Sequence, residues 1–154
     1  MRFEHASTVP ASRATVWTFL MDVPRVARCV PGVEAIEALG EDRYRGLLRI
    51  SVGPIRLALA GEVAVTLKDE AAGIAGMRAT AADKGAGGAV SADLRIEVRD
   101  GARPGTSELQ ITTDAQVMGR IGEFGQPIIK RKADQTMSEF AANLARAVAG
   151  AGAA

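Results

Sequence analysis

Reactive side chains are scarce in this 154-residue chain, which carries one histidine, one cysteine, one tyrosine and one tryptophan. Any Ser-His-Asp or Cys-His arrangement would have to use His5 as its base. His5 alternates with Phe3 and Val9 on one strand face, so it reads as a partly buried structural histidine. Neither a pair of carboxylates nor a His-Asp couple is expected to converge. Cys29, beside Pro31-Gly32, reads as a small buried hydrophobe rather than a nucleophile. One His and one Cys far apart in sequence do not make a zinc site. Tyr44 shares inward parity with the core, and Asp22 reaches toward a mouth. The expectation is therefore no catalytic and no metal-binding residue.

Two further patterns invite chemistry and lose to simpler readings. Gly85-Ala86-Gly87-Gly88 is followed by a strand and by no Lys-Ser or Lys-Thr, so it is a flexible connection after Lys84 rather than a phosphate loop. No strand-helix-strand unit surrounds a Gly-x-Gly-x-x-Gly run, which removes a dinucleotide fold. Lys130-Arg131-Lys132, with Arg120, suggests an anionic-surface patch, but three adjacent helical residues point in different directions and read as a solvated face.

Composition narrows the class. Nineteen Lys plus Arg against eighteen Asp plus Glu leave a net charge of +1, and aromatics make up 4%. A nucleic-acid binder needs a basic surplus and stacking rings, so no nucleic-acid partner is expected. A single cysteine suggests a reducing compartment. No signal-peptide core and no run near the ~20 apolar residues of a membrane span are present, so the expected location is the cytoplasm.

The elements that would position any site follow from periodicity. Arg2 to Val9 alternates as a strand, and Ser12 caps a short helix over Arg13 to Met21 with Val16, Trp17, Phe19 and Leu20 inside. Pro24 opens a second short helix to Arg28, and Cys29-Val30-Pro31-Gly32 turns. About six more strands follow, over 33–39, 44–50, 55–68, 74–83, 90–98 and 109–117, each with one wet face and short connections, as in an antiparallel sheet. Gly61, mid-strand, suggests a bend or bulge. Gly119 to Ala149 then reads as one helix about 45 Å long. Its apolar stripe is Ile121, Phe124, Ile128, Ile129, Ala133, Met137, Phe140, Ala141, Leu144 and Val148. Lys130, Arg131, Asp134, Gln135, Glu139, Asn143 and Arg146 make its water-facing side. Pro127 sits either in a first turn or at a kink. This predicts an α+β fold: one domain over 1–149, a curved antiparallel sheet around a long C-terminal helix, and a frayed tail at 150–154. Small inner-face residues under that helix leave either a ligand cavity or a core closed by Leu and Ile; composition leaves both open.

The chain also resembles a known family. The residues that carry the resemblance are Phe3-Glu4, Pro10-Ala11, Val16 to Asp22, Val26 to Val33 with its Cys-Val-Pro-Gly turn, Tyr44-Arg45-Gly46, Val52-Gly53-Pro54-Ile55, Gly61, Val117 to Ile121, Phe124-Gly125 and Phe140. Together they resemble the CoxG family of carbon monoxide dehydrogenase subunits, within the START-like, SRPBCC helix-grip superfamily, over nearly the whole chain. The resemblance implies a seven-stranded antiparallel sheet gripping the last helix. It also implies a bacterial accessory protein of a molybdenum hydroxylase of the carbon monoxide dehydrogenase type. By the same resemblance it would hold a hydrophobic small molecule, a membrane quinone such as menaquinone or ubiquinone being the leading candidate, and help couple the enzyme to the membrane. Many members end in an apolar tail. This chain ends at Ala154, so the expectation is a transient peripheral contact with the inner face of the cytoplasmic membrane.

The residues expected to line the cavity are Val26, Pro31, Tyr44, Leu48, Ile50, Leu57, Met77, Ile121, Phe124, Gly125 and Ile128. A headgroup is placed near Pro31, Tyr44 or Phe124 and a tail along Leu48, Leu57, Met77, Ile121 and Ile128. Superfamily relatives include cyclases and dehydratases, so an enzyme using the same cavity is the alternative, and a ligand-free docking partner is the third reading.

Overall fold

The computed structural model describes residues 1–83, 85 and 87–152, with the backbone alone at 151 and 152. Its elements are β1 Arg2–Val9, α1 Arg13–Leu20, α2 Val23–Ala27, β2 Val33–Gly40, β3 Arg43–Val52, β4 Ile55–Asp69, β5 Ile74–Asp83, β6 Gly88–Asp100, β7 Ser107–Gly119, a 3₁₀ turn Arg120–Phe124, and α3 Gln126–Gly152. The strands form one seven-stranded sheet in the order β1-β7-β6-β5-β4-β3-β2, and every neighbouring pair is antiparallel. The alternation in the sequence predicts this sheet, because each strand needs one buried face.

Local signals set the short elements. Ser12 Oγ accepts from the Thr15 N–H at 3.2 Å, capping α1. Asp22 accepts from the Arg25 N–H at 3.4 Å, and Pro24 occupies the first turn of α2, where its missing N–H costs nothing. Gly32 ends the following turn at φ 87°, and a Cβ there would lie 2.0 Å from the Arg49 carbonyl oxygen, so only glycine fits.

Three sequence expectations are corrected. The stretch 119–149 is not one helix. Gly119 at φ 72° and Gly125 at φ 82° divide it into a 3₁₀ turn and a separate α-helix that Pro127 opens. The helix also continues to Gly152, so the tail expected to fray from 150 is helical as far as it is described. Residues 153–154 lie outside the described residues, as do Lys84 and Ala86 of the glycine connection. Gly61 is no bulge: pairing runs unbroken through it, and the shift falls between Val65 and Leu67. Gly61 is there because a Cβ would come 2.1 Å from the Thr80 carbonyl oxygen.

Apolar burial gathers in two places. The larger cluster joins α1, the second half of α3 and the β1, β7, β6, β5 part of the sheet through Val16, Trp17, Phe19, Ile96, Val98, Leu109, Phe140, Leu144 and Val148. The smaller one joins β3, β4 and the 3₁₀ turn through Val52, Leu57, Leu59 and Ile121. Helix α3 therefore feeds the core from its C-terminal half, while Ile128 in its first turns is 41% exposed. Leu144→Ala should cost about 2–5 kcal/mol of unfolding free energy, since Leu144 is fully buried. Ile128→Ala should stay within about 0.5 kcal/mol. Urea denaturation of both variants reads the contrast directly.

Candidate functional site

The separation of the two clusters leaves a cleft of about 460 Å³ between the first half of α3 and the β3–β4 hairpin. Pro31, Gly32, Ile50, Leu57 and Ala58 lie on the sheet side together with Arg49, Ser51 and Arg56, and Lys132, Gln135, Thr136 and Glu139 on the helix side. Those four positions are spaced three, four and seven apart, which places them on one helical face. The helix wall is polar, and the sheet wall is mixed, with Ile50 and Leu57 beside Arg49, Ser51 and Arg56. Lys132 and Thr136 are half-buried, while Gln135 and Glu139 are exposed.

Of the residues expected from sequence, Pro31, Ile50 and Leu57 meet at this cleft. Leu48, Ile121 and Phe124 pack in the small cluster beneath it, next to Leu57 and Ile50. Val26 and Met77 pack against the main core instead. Tyr44 is half-buried further along β3 opposite Val63, and Gly125 and Ile128 are exposed where α3 begins. Sequence reasoning misses the polar helix wall. Its signal is the spacing of residues 132, 135, 136 and 139, of which Gln135 and Glu139 read only as a water-facing side.

A His-Asp couple does converge, against expectation. His5 on β1 meets Asp134 on α3, with Nε2 to Oδ1 at 2.8 Å across a sequence separation of 129. Lys130 Nζ donates to the other carboxylate oxygen at 3.0 Å. The bond to His5, then that to Lys130, holds the Asp134 carboxyl below its usual range. His5 Nδ1 is buried with no partner among the described residues. The couple stands on the opposite flank of α3 from the cleft, where His5 lines a groove of about 380 Å³ with Ser7, Leu109, Ile111, Met137 and Phe140. Cys29 is buried in the core, and burial pushes its thiol pKa up, only partly opposed by Arg25. It is therefore a neutral packing group. Among the described residues no three His, Cys, Asp or Glu side chains approach closely enough to hold a metal ion, and no helix is long and apolar enough to cross a membrane.

A seven-stranded antiparallel sheet embracing a C-terminal helix, with a cleft between them, defines a START-like helix-grip protein. Solved structures share the architecture. A conserved protein from Geobacillus kaustophilus is 21% identical with a TM-score of 0.88, covering 97% of this chain and 96% of its own. A START superfamily protein from Mycobacterium smegmatis is 14% identical with a TM-score of 0.70, covering 97% of each chain. The Zhui aromatase/cyclase from Streptomyces sp. R1128 is 18% identical with a TM-score of 0.68, covering 96% of this chain and 93% of its own. At these identities the likeness is one of fold. No curated protein sequence matches the chain. The profile of the CoxG family of carbon monoxide dehydrogenase subunits matches residues 6–149, and the chain belongs to that family.

The Asp134 contacts carry a pH signature. A carboxylate with a lowered folded-state pKa contributes stability that is present above its unfolded value, about 3.9, and lost as pH falls through the folded value. Asp134→Asn should therefore unfold at lower urea than the parent at pH 7. The gap should close in acid below about pH 4. Urea midpoints across the pH range would refute this if the gap were constant.

Proposed function

We propose that the protein is a non-catalytic accessory subunit of a molybdenum hydroxylase of the carbon monoxide dehydrogenase type. In this reading it carries a hydrophobic small molecule in the cleft between α3 and the β3–β4 hairpin and helps couple the enzyme to the cytoplasmic membrane, at whose inner face it sits peripherally. Family membership supports the accessory role. The observation that supports the ligand reading is the cleft itself, with Ile50 and Leu57 among Arg49, Ser51 and Arg56 on one wall and Lys132 and Thr136 on the other.

Donors around a small apolar floor suit a ring-headed molecule with acceptor oxygens on the ring. Lys132 and Thr136 are four residues apart, about 6 Å along the axis, comparable with the spacing of two oxygens para on a six-membered ring. An ammonium and a hydroxyl both donate to carbonyl oxygens, while the ring face lies on Ile50 and Leu57. A membrane quinone, menaquinone or ubiquinone, meets this description, with its isoprenoid tail leaving toward Leu48, Ile121 and Phe124. The ligand would let a soluble hydroxylase pass electrons onward.

Organic extraction of the purified protein with mass spectrometry should recover a quinone near one per chain. Thr136→Trp, which sets an indole in the cleft, should lower its recovery at least ten-fold without changing the urea midpoint. Unchanged recovery in this variant would sink the placement.

A second reading, a small cyclase-like enzyme, is favoured by the His5–Asp134 couple, whose carboxylate orients an imidazole beside a groove. A carrier returns the bound molecule chemically unchanged after incubation. Conversion that disappears in His5→Ala would instead establish the enzyme.

A further inference from the structure

A cleft of about 510 Å³ opens where α1 and α2 meet the second half of α3, lined by Phe19, Arg25, Arg28, Cys29, Asn143, Arg146 and Ala147. Three of these side chains are guanidinium groups, and no carboxylate lines the cleft. None of the three arginines is ion-paired among the described residues; other unpaired arginines, such as Arg95, Arg103 and Arg131, lie apart from this cleft, whereas these three meet at one opening. Three unpaired positive charges at one opening repel one another, and a chain with a net charge of only +1 has no general surplus to place there.

Two of the arginines are held in place by contacts that leave their charge uncompensated. The Arg25 guanidinium lies over the Phe19 ring, 4.6 Å from its centroid, an attraction that positions a cation without cancelling it. Arg146 donates to Asn143 Oδ1, and Asn143 Nδ2 in turn donates to the Cys29 carbonyl oxygen at 2.9 Å. Arg28 follows α2 as its C-terminal cap residue. The carbonyls of a five-residue helix offset at most about half of one charge. Arginine forks pre-oriented around a concave opening match a group with several acceptor oxygens and more than one negative charge. A single carboxylate would leave two of the three charges unanswered.

We infer that Arg25, Arg28 and Arg146 form an anion site for a phosphate-bearing ligand, distinct from the cleft between α3 and the β3–β4 hairpin. The same chemistry is offered by a soluble di- or triphosphate and by a phosphate-monoester lipid headgroup. The site is independent of whether that other cleft takes a quinone.

The test is calorimetry of the full chain with inorganic pyrophosphate, with ADP, and with phosphatidylcholine vesicles containing phosphatidic acid. Pyrophosphate or ADP binding that weakens at least ten-fold in Arg25→Gln/Arg146→Gln, and falls steeply with added salt, establishes a site for a free phosphate. Binding confined to the phosphatidic acid vesicles and lost in the same variant establishes a headgroup site. Arg146→Lys separates a fork from a bare charge: it should bind less than half as tightly as the parent while keeping the same urea midpoint. Arg103→Gln, in the β6–β7 turn, should change nothing. Absence of binding to all three probes overturns the inference. So does binding that Arg25→Gln/Arg146→Gln leaves intact.

Discussion

Burial of Phe140, Leu144 and Val148 against α1 and the sheet is the contact on which the rest of the molecule depends. A helix of 27 residues, about 40 Å long, extends well past the apolar seat that holds it. Its C-terminal half is committed to that seat, so its first half spans the space above β3 and β4 with little apolar support beyond Met137. It is fastened there by a polar contact, His5 to Asp134, toward the opposite edge of the sheet. The cleft on the β3–β4 side follows from that division: one flank of the helix is tied and the other stands open.

The sheet reinforces the same division. The inward positions of β5 include Ala75, Met77, Ala79 and Ala81, of which only Met77 is large. Met77 and Leu94 pack toward the main cluster and Val90 and Val117 toward the smaller one, so the sheet follows the same division. On the outward face the strands are linked by cross-strand pairs such as Arg43–Glu62, Arg45–Glu37 and Arg78–Asp93. These pairs are largely exposed, and such bridges contribute at most about 1 kcal/mol each. They keep the edge and outer face wet and discourage strand addition. Cohesion comes from the two clusters, which is why their separation is tolerated only as a cleft with a polar wall.

What is legible in the sequence is whatever depends on neighbours in the chain. Strand parity in β3, β4, β6 and β7, the Ser12 cap, the Pro24 first turn and the Gly53-Pro54 hairpin are all local, and each forms where its residues predict. The site is legible only on its sheet side, through Pro31, Ile50 and Leu57. The helix side is lost when a single phase is carried from Ile121 to Val148. Gly119 and Gly125, both at positive φ, reset the chain between Ile121 and the helix, so Ile121 drops into the small cluster while Ile128 points outward. Lys132, Gln135, Thr136 and Glu139 face the cleft, although Gln135 and Glu139 read in the sequence only as a water-facing side. The His5–Asp134 bond is invisible for a different reason: it joins the first strand to the last helix, and no local pattern encodes a contact across 129 residues.

The two clefts also share a wall. Cys29 borders the arginine opening, and Pro31 and Gly32 border the cleft between α3 and the β3–β4 hairpin. The turn between them is locked from three directions. The Cys29 carbonyl oxygen accepts from Asn143 on α3. The Gly32 carbonyl oxygen accepts from the Arg49 N–H at 2.8 Å. Pro31 and Gly32 themselves leave the backbone few alternatives. A wall so constrained offers a fixed surface to anything bound on either side of it. Adjustment to a ligand must then come from the other wall of that cleft, the first half of α3, whose attachments are the His5–Asp134 bond, the Gly125 junction and the half-buried Met137. Stiffness and adaptability are thus divided between the Cys29–Gly32 turn and the start of α3, and the division follows from where the apolar residues of one helix end.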